Sequence, residues 1–306
     1  MTASAAIFPG QGAQEVGMGK DAAEVCAVAA DTFAQADEIL GFGLSQLCFE
    51  GPAERLNATD IQQPAIFTTS VALYRAALDR KKIRPDQFAA MGGLSLGEYT
   101  ALHLAGSVPF DAALRLVQRR GQLMQQAAQS SPGGMVSIMG LTEEQVLAVC
   151  ERVAESGRVG PANFNCPGQI VISGDKAACA AAVRAAEEPG GRAIPLDVAG
   201  AFHSELMRPA AEELREALRA TEFVAPRLRV ISNVNADYHA GPDEIRDWLY
   251  RQVVSPVRWQ ECVQRLIADG CQEFWEIGPK RVLAGLLRKI DRSAKAVNVG
   301  KAADLG

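Results

Sequence analysis

The pentapeptide Gly93-Leu94-Ser95-Leu96-Gly97 closes a short apolar stretch over 88–93 that reads as a strand. Glycines two residues before and two after the serine permit a strand-to-helix turn too tight for larger neighbours. Such a nucleophile elbow exposes the Ser95 hydroxyl and aims the first N–H groups of the following helix at the oxygen of whatever the serine attacks. Ser95 and Glu98 also spell Ser-x-x-Glu, the capping box that opens ordinary helices, and the two readings are compatible.

Strands and helices alternate on both sides of this turn, which predicts an α/β fold with a parallel sheet. Residues 4–8 read as a buried strand running into Pro9-Gly10-Gln11-Gly12 and a helix over 18–40, and helical periodicity returns at 62–79 and 110–129. Ser130-Ser131-Pro132-Gly133-Gly134 then punctuates the chain. Beyond it come a strand at 135–139, a helix at 142–155, a strand at 170–173, a helix at 177–186 and a strand at 192–196. This βαβ-βαβ-like run of about 70 residues has the size of an inserted ferredoxin-like subdomain. A helix to 221, a strand at 228–232, helices at 243–252 and 260–269, a last strand at 273–277 and a helix at 280–290 complete the pattern. The expectation is a hydrolase-like parallel-sheet large domain built from 1–129 and 199–306, with a ferredoxin-like small subdomain at 130–198 and a ligand cleft between them.

With 48% hydrophobic and 22% charged residues, a chain of 306 residues buries a substantial core. A net charge of −5 argues against a nucleic-acid partner. No run of 18 apolar residues occurs and the first nine residues carry no basic leader, so neither a membrane span nor export is expected, and a cytoplasmic location is. The seven cysteines are scattered without Cys-x-x-Cys pairs, which fits reduced core thiols and neither a metal site nor a disulfide framework. Cys166 has no basic neighbour in sequence to activate it.

A serine nucleophile needs a base, and the chain has three histidines. His103 lies eight residues beyond Ser95 on the same predicted helix, about 12 Å along it and out of contact. His239 sits in a polar turn, Asn235 to Pro242, where a solvated position is expected. His203, in Gly200-Ala201-Phe202-His203-Ser204, follows the predicted subdomain at a loop-to-helix junction and is the base by elimination. Asp197 could complete a triad in the order Ser, Asp, His, although six residues is a short separation; a backbone carbonyl orienting the imidazole is the other arrangement. Arg120, on a helix whose apolar face carries Leu116, Leu123 and Met124, could meet a substrate carboxylate bidentately, or extend to solvent. The first loop satisfies neither a P-loop nor a dinucleotide fingerprint; Gln11 instead places a backbone amide near the elbow, where it could serve an oxyanion hole.

Together Phe8-Pro9-Gly10-Gln11-Gly12, Gly93 to Tyr99 and Gly200 to Ser204 resemble the malonyl-CoA:acyl carrier protein transacylases of fatty acid synthesis. Val117 to Met124, Asn163 to Gln169, Gln252 to Trp259 and Glu276 to Pro279 extend the resemblance over nearly the whole chain. It implies Ser95 as nucleophile, His203 as base, Arg120 as anchor of the malonyl carboxylate, and the amides of Gln11 and Leu96 as the oxyanion hole. Gln252 corresponds to a glutamine near the carbonyl that orients the histidine, which favours a dyad over a triad with Asp197. Phe202 resembles malonyl-selective members, in which the ring crowds an α-methyl branch, and Asn163 and Asn165 fall in segments expected to line the acyl site. Many members carry histidine directly before the nucleophile; here the residue is Leu94.

The activity implied is ping-pong transfer of malonyl from malonyl-CoA through malonyl-Ser95 to the phosphopantetheine thiol of acyl carrier protein, with no cofactor, by a monomer. Seven basic residues against one acid between Lys280 and Lys301 offer a docking face for that acidic carrier. A polyketide acyltransferase acting in trans, an acyl-thioester hydrolase or esterase with the same serine, and a non-catalytic carrier-binding protein are the rival readings.

Overall fold

Short apolar strands separated by helices leave each strand needing cover on both faces, and a parallel sheet between helices supplies it. The computed structural model describes residues 3–84 and 86–306. Its strands, in chain order, are β1 (Ala3–Phe8), β2 (Phe88–Gly93), β3 (Gly133–Met139), β4 (Val159–Cys166), β5 (Gln169–Asp175), β6 (Arg192–Pro195), β7 (Arg229–Val230), β8 (Cys271–Ile277) and β9 (Lys295–Val299). β1 lies at the centre of a parallel five-stranded sheet of order β7-β2-β1-β8-β9. Ala5, Ala6, Ile7 and Phe8 are all fully buried there, as a strand covered on both faces requires.

The chain leaves β1 for β2 on one side and comes back to β8 on the other, so the direction of winding reverses at β1. Crevices at the carboxyl ends of strands flanking such a reversal are where ligands bind. The register pairs Phe8 with Gly93, which brings the loop after β1 and the elbow after β2 out of the sheet side by side. Leu94 N–H donates to the Phe8 carbonyl at 3.1 Å and carries the contact one residue beyond the strands.

The second sheet is antiparallel, of order β4-β5-β3-β6, and the helices Glu143–Arg152 and Lys176–Glu187 complete a β-α-β-β-α-β unit. The sequence pattern missed β4, whose Pro161, Asn163 and Asn165 read as loop residues; it forms by pairing with β5 across a tight turn in which Gly168 has φ 70°. β9 was missed as well, being a five-residue edge strand beyond the expected last one. The predicted helix at 18–40 is two helices, Lys20–Val25 and Ala27–Leu40, because Cys26 adopts an extended backbone between them. Two short helices, Leu44–Glu50 and Ala53–Leu56, also escaped the sequence pattern.

The glycines of the elbow are held by close approach. A Cβ on Gly93 would lie 2.1 Å from the Gly97 carbonyl carbon, and one on Gly97 would lie 2.1 Å from the Phe8 oxygen. Neither obstacle is a side chain that could swing away. Gly285, in the helix Val282–Ile290, has nothing within 4 Å of such a Cβ. Gly97→Ala is therefore expected to cost at least about 3 kcal/mol in urea unfolding, whereas Gly285→Ala gains about 0.5 to 1 kcal/mol from helix propensity. Similar stabilities for the two variants would refute the close-approach account.

Candidate active site

Ser95 sits between β2 and the helix Leu96–Leu104 with φ 53° and ψ −101°, a backbone state that side chains other than glycine rarely adopt. Two partners hold it there. Its N–H donates to Asn233 Oδ1 at 2.6 Å, and its carbonyl accepts from Gln252 Nε2 at 3.1 Å. The Ser-x-x-Glu spacing does not make a capping box here: the Ser95 side chain caps no amide of its helix, and Glu98 turns inward. The hydroxyl is left for other partners.

His203 Nε2 lies 2.8 Å from Ser95 Oγ, and His203 Nδ1 lies 2.8 Å from the backbone carbonyl of Gln252. A carbonyl only accepts, so Nδ1 carries the proton and Nε2 is bare toward the serine. Asp197 is exposed and takes no part in holding the imidazole, so the geometry is that of a dyad. Burial, then the charge of Arg120, lower the His203 pKa to about 4, against the opposing effect of the Gln252 carbonyl. The ring is therefore neutral, and able to accept a proton, throughout the neutral range.

Arg120 does not reach solvent. It is 1% exposed, while Arg119 beside it extends outward to Glu213 at 3.0 Å. Its Nη1 donates to Gln63 Oε1 at 2.6 Å, and its Nη2 donates to Ser95 Oγ at 2.9 Å and to Gln252 Oε1 at 3.0 Å. Every one of these acceptors is neutral, Nε has no partner, and among the described residues no carboxylate pairs with the guanidinium. Gly121 allows this depth, because a Cβ there would lie 2.7 Å from the Thr59 carbonyl of the neighbouring helix.

A cleft of about 200 Å³ opens over the serine between the two sheets. Gly10, Gln11, Leu94, Ser95, Met124 and His203 line it from the large sheet and its helices; Met135, Asn163, Asn165, Gln169 and Val171 line it from the small one. Phe202, Leu196, Val198, Val282, Leu283 and Leu286 complete the wall. Asn165 Oδ1 is buried without a partner. The N–H groups of Gln11 and Leu96 donate to no other described residue, so both remain available to an oxygen in the cleft.

Four residues of the site escaped sequence reasoning: Gln63, Asn233, Glu98 as a buried carboxylate, and His239. His239 is not on the solvated surface that its polar turn suggested; its side chain is fully buried with Nε2 2.8 Å from Glu98 Oε1. The polar turn residues face outward while the short strand pairing of Ile231 with Tyr238 folds the histidine under them. Gln63 carried little local signal, since the helix Thr59–Asp79 also holds Gln62, Thr68, Thr69 and Ser70. His103 is far from the serine as expected, with Nδ1 2.9 Å from the Val108 carbonyl and the ring packed against Phe67 and Phe110. Cys166 is buried with its thiol pKa raised by desolvation, which argues against a nucleophilic role. Among the described residues no His, Cys, Asp and Glu cluster could hold a metal ion, and no helix is long and apolar enough to cross a membrane.

An elbow serine, a neutral histidine and a parallel sheet with an inserted antiparallel one define an acyl-transferring serine enzyme, and the family model of the acyl transferase domain matches residues 6–304. The malonyl CoA-acyl carrier protein transacylase of Bacillus subtilis is 46% identical over 301 residues, covering 98% of this chain and 94% of that protein. Its counterpart in Escherichia coli K12 is 44% identical over 291 residues, 95% of this chain and 93% of that one. The chain belongs to the malonyl CoA-acyl carrier protein transacylase family. An acyl carrier protein S-malonyltransferase from Vibrio cholerae superposes with a TM-score of 0.94 at 45% identity, covering 98% of both chains. A malonyl-transacylase solved in complex with its type II PKS acyl-carrier protein gives 0.95 at 41%, over 99% of this chain and 98% of that one.

Burial also lowers the His103 pKa to about 4, so two histidines stay neutral in the fold where an unfolded chain binds protons below about 6.5. Stability from both is present above pH 6.5 and is lost as pH falls toward 4, by up to about 3 kcal/mol for each. Urea unfolding at a series of pH values should show that slope, reduced in His203→Gln; a flat profile from 6.5 to 4.5 would contradict the burial of neutral rings.

Proposed function

We propose that the protein transfers malonyl groups from malonyl-CoA to the phosphopantetheine thiol of acyl carrier protein, supplying malonyl units to fatty acid synthesis. The observation that carries the choice of acyl group is Arg120. A buried guanidinium whose contacts are all neutral, 2.9 Å from the serine oxygen, has no negative charge in direct contact with it. In a malonyl ester on Ser95 Oγ only the ester carbonyl and one methylene separate that oxygen from the free carboxylate, so the carboxylate falls within reach of the fork.

Ser95 attacks the thioester carbonyl as its proton passes to His203 Nε2, and the imidazolium is steadied by the Gln252 carbonyl on Nδ1. The tetrahedral oxyanion takes the N–H groups of Gln11 and Leu96. His203 returns the proton to the departing CoA sulfur, leaving malonyl-Ser95. The carrier thiol then gives its proton to His203 and attacks the ester. As the second tetrahedral intermediate collapses the C–Oγ bond breaks, His203 returns the proton to Ser95 Oγ, and malonyl leaves on the carrier sulfur. Phe202, 3% exposed in the cleft wall, limits bulk beside the acyl α-carbon, and Leu94 presents an apolar wall in place of the histidine of many relatives. Most of the cleft wall is apolar, which disfavours water beside the ester.

The carrier docks at the mouth of the cleft. The helix Val282–Ile290 contributes Val282, Leu283 and Leu286 to the cleft wall and carries Arg288 and Lys289 in its last turn. Within the basic segment Lys295 is taken up by Glu273, while Arg281, Arg288 and Arg292 form no ion pair among the described residues. Likeness to a transacylase solved with its acyl-carrier protein supports this partner. The reading includes a monomer working in the cytoplasm: the proposed dyad and oxyanion donors are complete within one chain, and exchange of one thioester for another through an ester calls for no cofactor.

Incubation with malonyl-CoA, acid quench and intact mass should find a malonyl adduct on the wild type, dischargeable by holo carrier protein, and none on Ser95→Ala. Free CoA without an adduct would indicate a hydrolase instead. Arg120→Ala should slow malonyl loading at least about 100-fold while slowing acetyl loading far less, because only the former loses a charge-assisted bidentate contact. Equal losses would remove Arg120 from substrate selection.

A further inference from the structure

Glu98 is fully buried and does not reach the cleft. Its carboxylate is the meeting point of three groups: Gln252 Nε2 at 2.7 Å and Asn233 N–H at 3.0 Å on Oε2, and His239 Nε2 at 2.8 Å on Oε1. A carboxylate only accepts, so all three donate to it, which also fixes the proton of His239 on Nε2.

Two of those donors are one link from the reacting atoms. Asn233 straps the elbow, with Oδ1 accepting from Ser95 N–H at 2.6 Å and Nδ2 donating to the Gly93 carbonyl at 2.8 Å. Gln252 gives its backbone carbonyl to His203, its Oε1 to Arg120 and its Nε2 to the Ser95 carbonyl. The Gln252 amide therefore stands between the Glu98 anion and the Arg120 cation, its NH2 toward one and its oxygen toward the other. That orientation balances the guanidinium at one remove while leaving its contact face free of carboxylates.

We propose that Glu98, seated by His239, is a positioning residue for acyl transfer, fixing nucleophile, base and substrate-anchoring arginine together through Asn233 and Gln252. This rests on the assignment of Ser95 and His203 as nucleophile and base. A glutamine in its place removes the negative charge on which the donors converge. Its NH2 either faces the Gln252 and Asn233 donors or turns to His239, which must then move its proton to the otherwise unpartnered Nδ1 to accept, so the three groups no longer fit as they do around the carboxylate. The misfit is transmitted to Ser95, His203 or Arg120.

The test is single-turnover loading of Glu98→Gln, followed by quench and intact mass, which separates the fraction of molecules acylated from the rate at which they react. A positioning role gives full amplitude with a rate constant lower by about 10- to 100-fold. The malonyl-CoA concentration for half-maximal rate shifts by less than about threefold. A purely structural role gives the wild-type rate at reduced amplitude, and that result, or an unchanged rate, overturns the proposal. A fluorophosphonate, which needs serine and base but not Arg120, serves as the second probe and should label the variant more slowly in the same proportion. If the wild type reacts with the fluorophosphonate but not with malonyl-CoA, the acyl donor is wrong and Glu98 is judged on the fluorophosphonate alone. If neither reagent reacts with the wild type, the serine is not a nucleophile and both proposals fall. Should Glu98→Gln not fold, Glu98→Asp, which keeps the charge and withdraws it by one methylene, is read in the same way.

Discussion

The site depends on one backbone constraint: Ser95 held at positive φ on the end of a central parallel strand. A serine in ordinary helical or extended geometry there would bury its hydroxyl or turn it along the strand. The constrained state costs of order 1 to 3 kcal/mol and persists only where the surroundings over-determine it. Here they do so from three directions, with glycines too close to neighbouring backbone to admit a Cβ, the Phe8 carbonyl on Leu94, and the Asn233 side chain bridging Gly93 and Ser95. The same geometry leaves the Leu96 amide unspent beside the hydroxyl. The exposed hydroxyl and the free amide beside it are therefore two outcomes of one turn.

Electrostatics in the buried site are arranged by distance rather than by direct pairing. A cation in contact with an internal carboxylate would already be neutralised, and a substrate carboxylate would have to displace that partner. Arg120 instead meets oxygens of Gln63, Ser95 and Gln252, and the anion that offsets it, Glu98, stands behind Gln252. His203 experiences the same cation as a reason to remain unprotonated. The side chain proposed to select a charged acyl group thus adds to burial in keeping the resting imidazole neutral.

Much of this was legible in the chain because it depends on local spacing. The elbow is five consecutive residues, β2 falls at 88–93 as the apolar pattern indicated, and the helix that carries Arg120 begins at Phe110 as its periodicity required. The two-layer plan was legible for the same reason, each layer having its own alternation. What stayed hidden depends on contacts between distant segments. β4 contains proline, glycine and two asparagines, and is a strand only because β5 lies beside it. His239 looked solvated since its sequence neighbours are polar, and nothing local tells that Glu98, 141 positions away, faces it. Asp197 and Gln252 show the reverse case: the local argument allowed a nearby carboxylate, and a carbonyl 49 residues downstream took its place.

The strand order carries a consequence for the chain as it is made. β1 is bounded on one side by β2 and on the other by β8, near the carboxyl end of the sequence, and the small antiparallel unit falls in chain order between β2 and β7 of the large sheet. Ser95 emerges from the ribosome long before His203, Asn233 and Gln252, and the strand that delivers it lacks its second neighbour until Arg229–Val230 has followed, the sheet itself being complete only with Lys295–Val299. A nascent chain therefore holds Ser95 without His203, and Arg120 with Gln63 but without Gln252. Non-local closure of this kind slows folding, and it leaves an unfinished polypeptide without the assembled pair of Ser95 and His203.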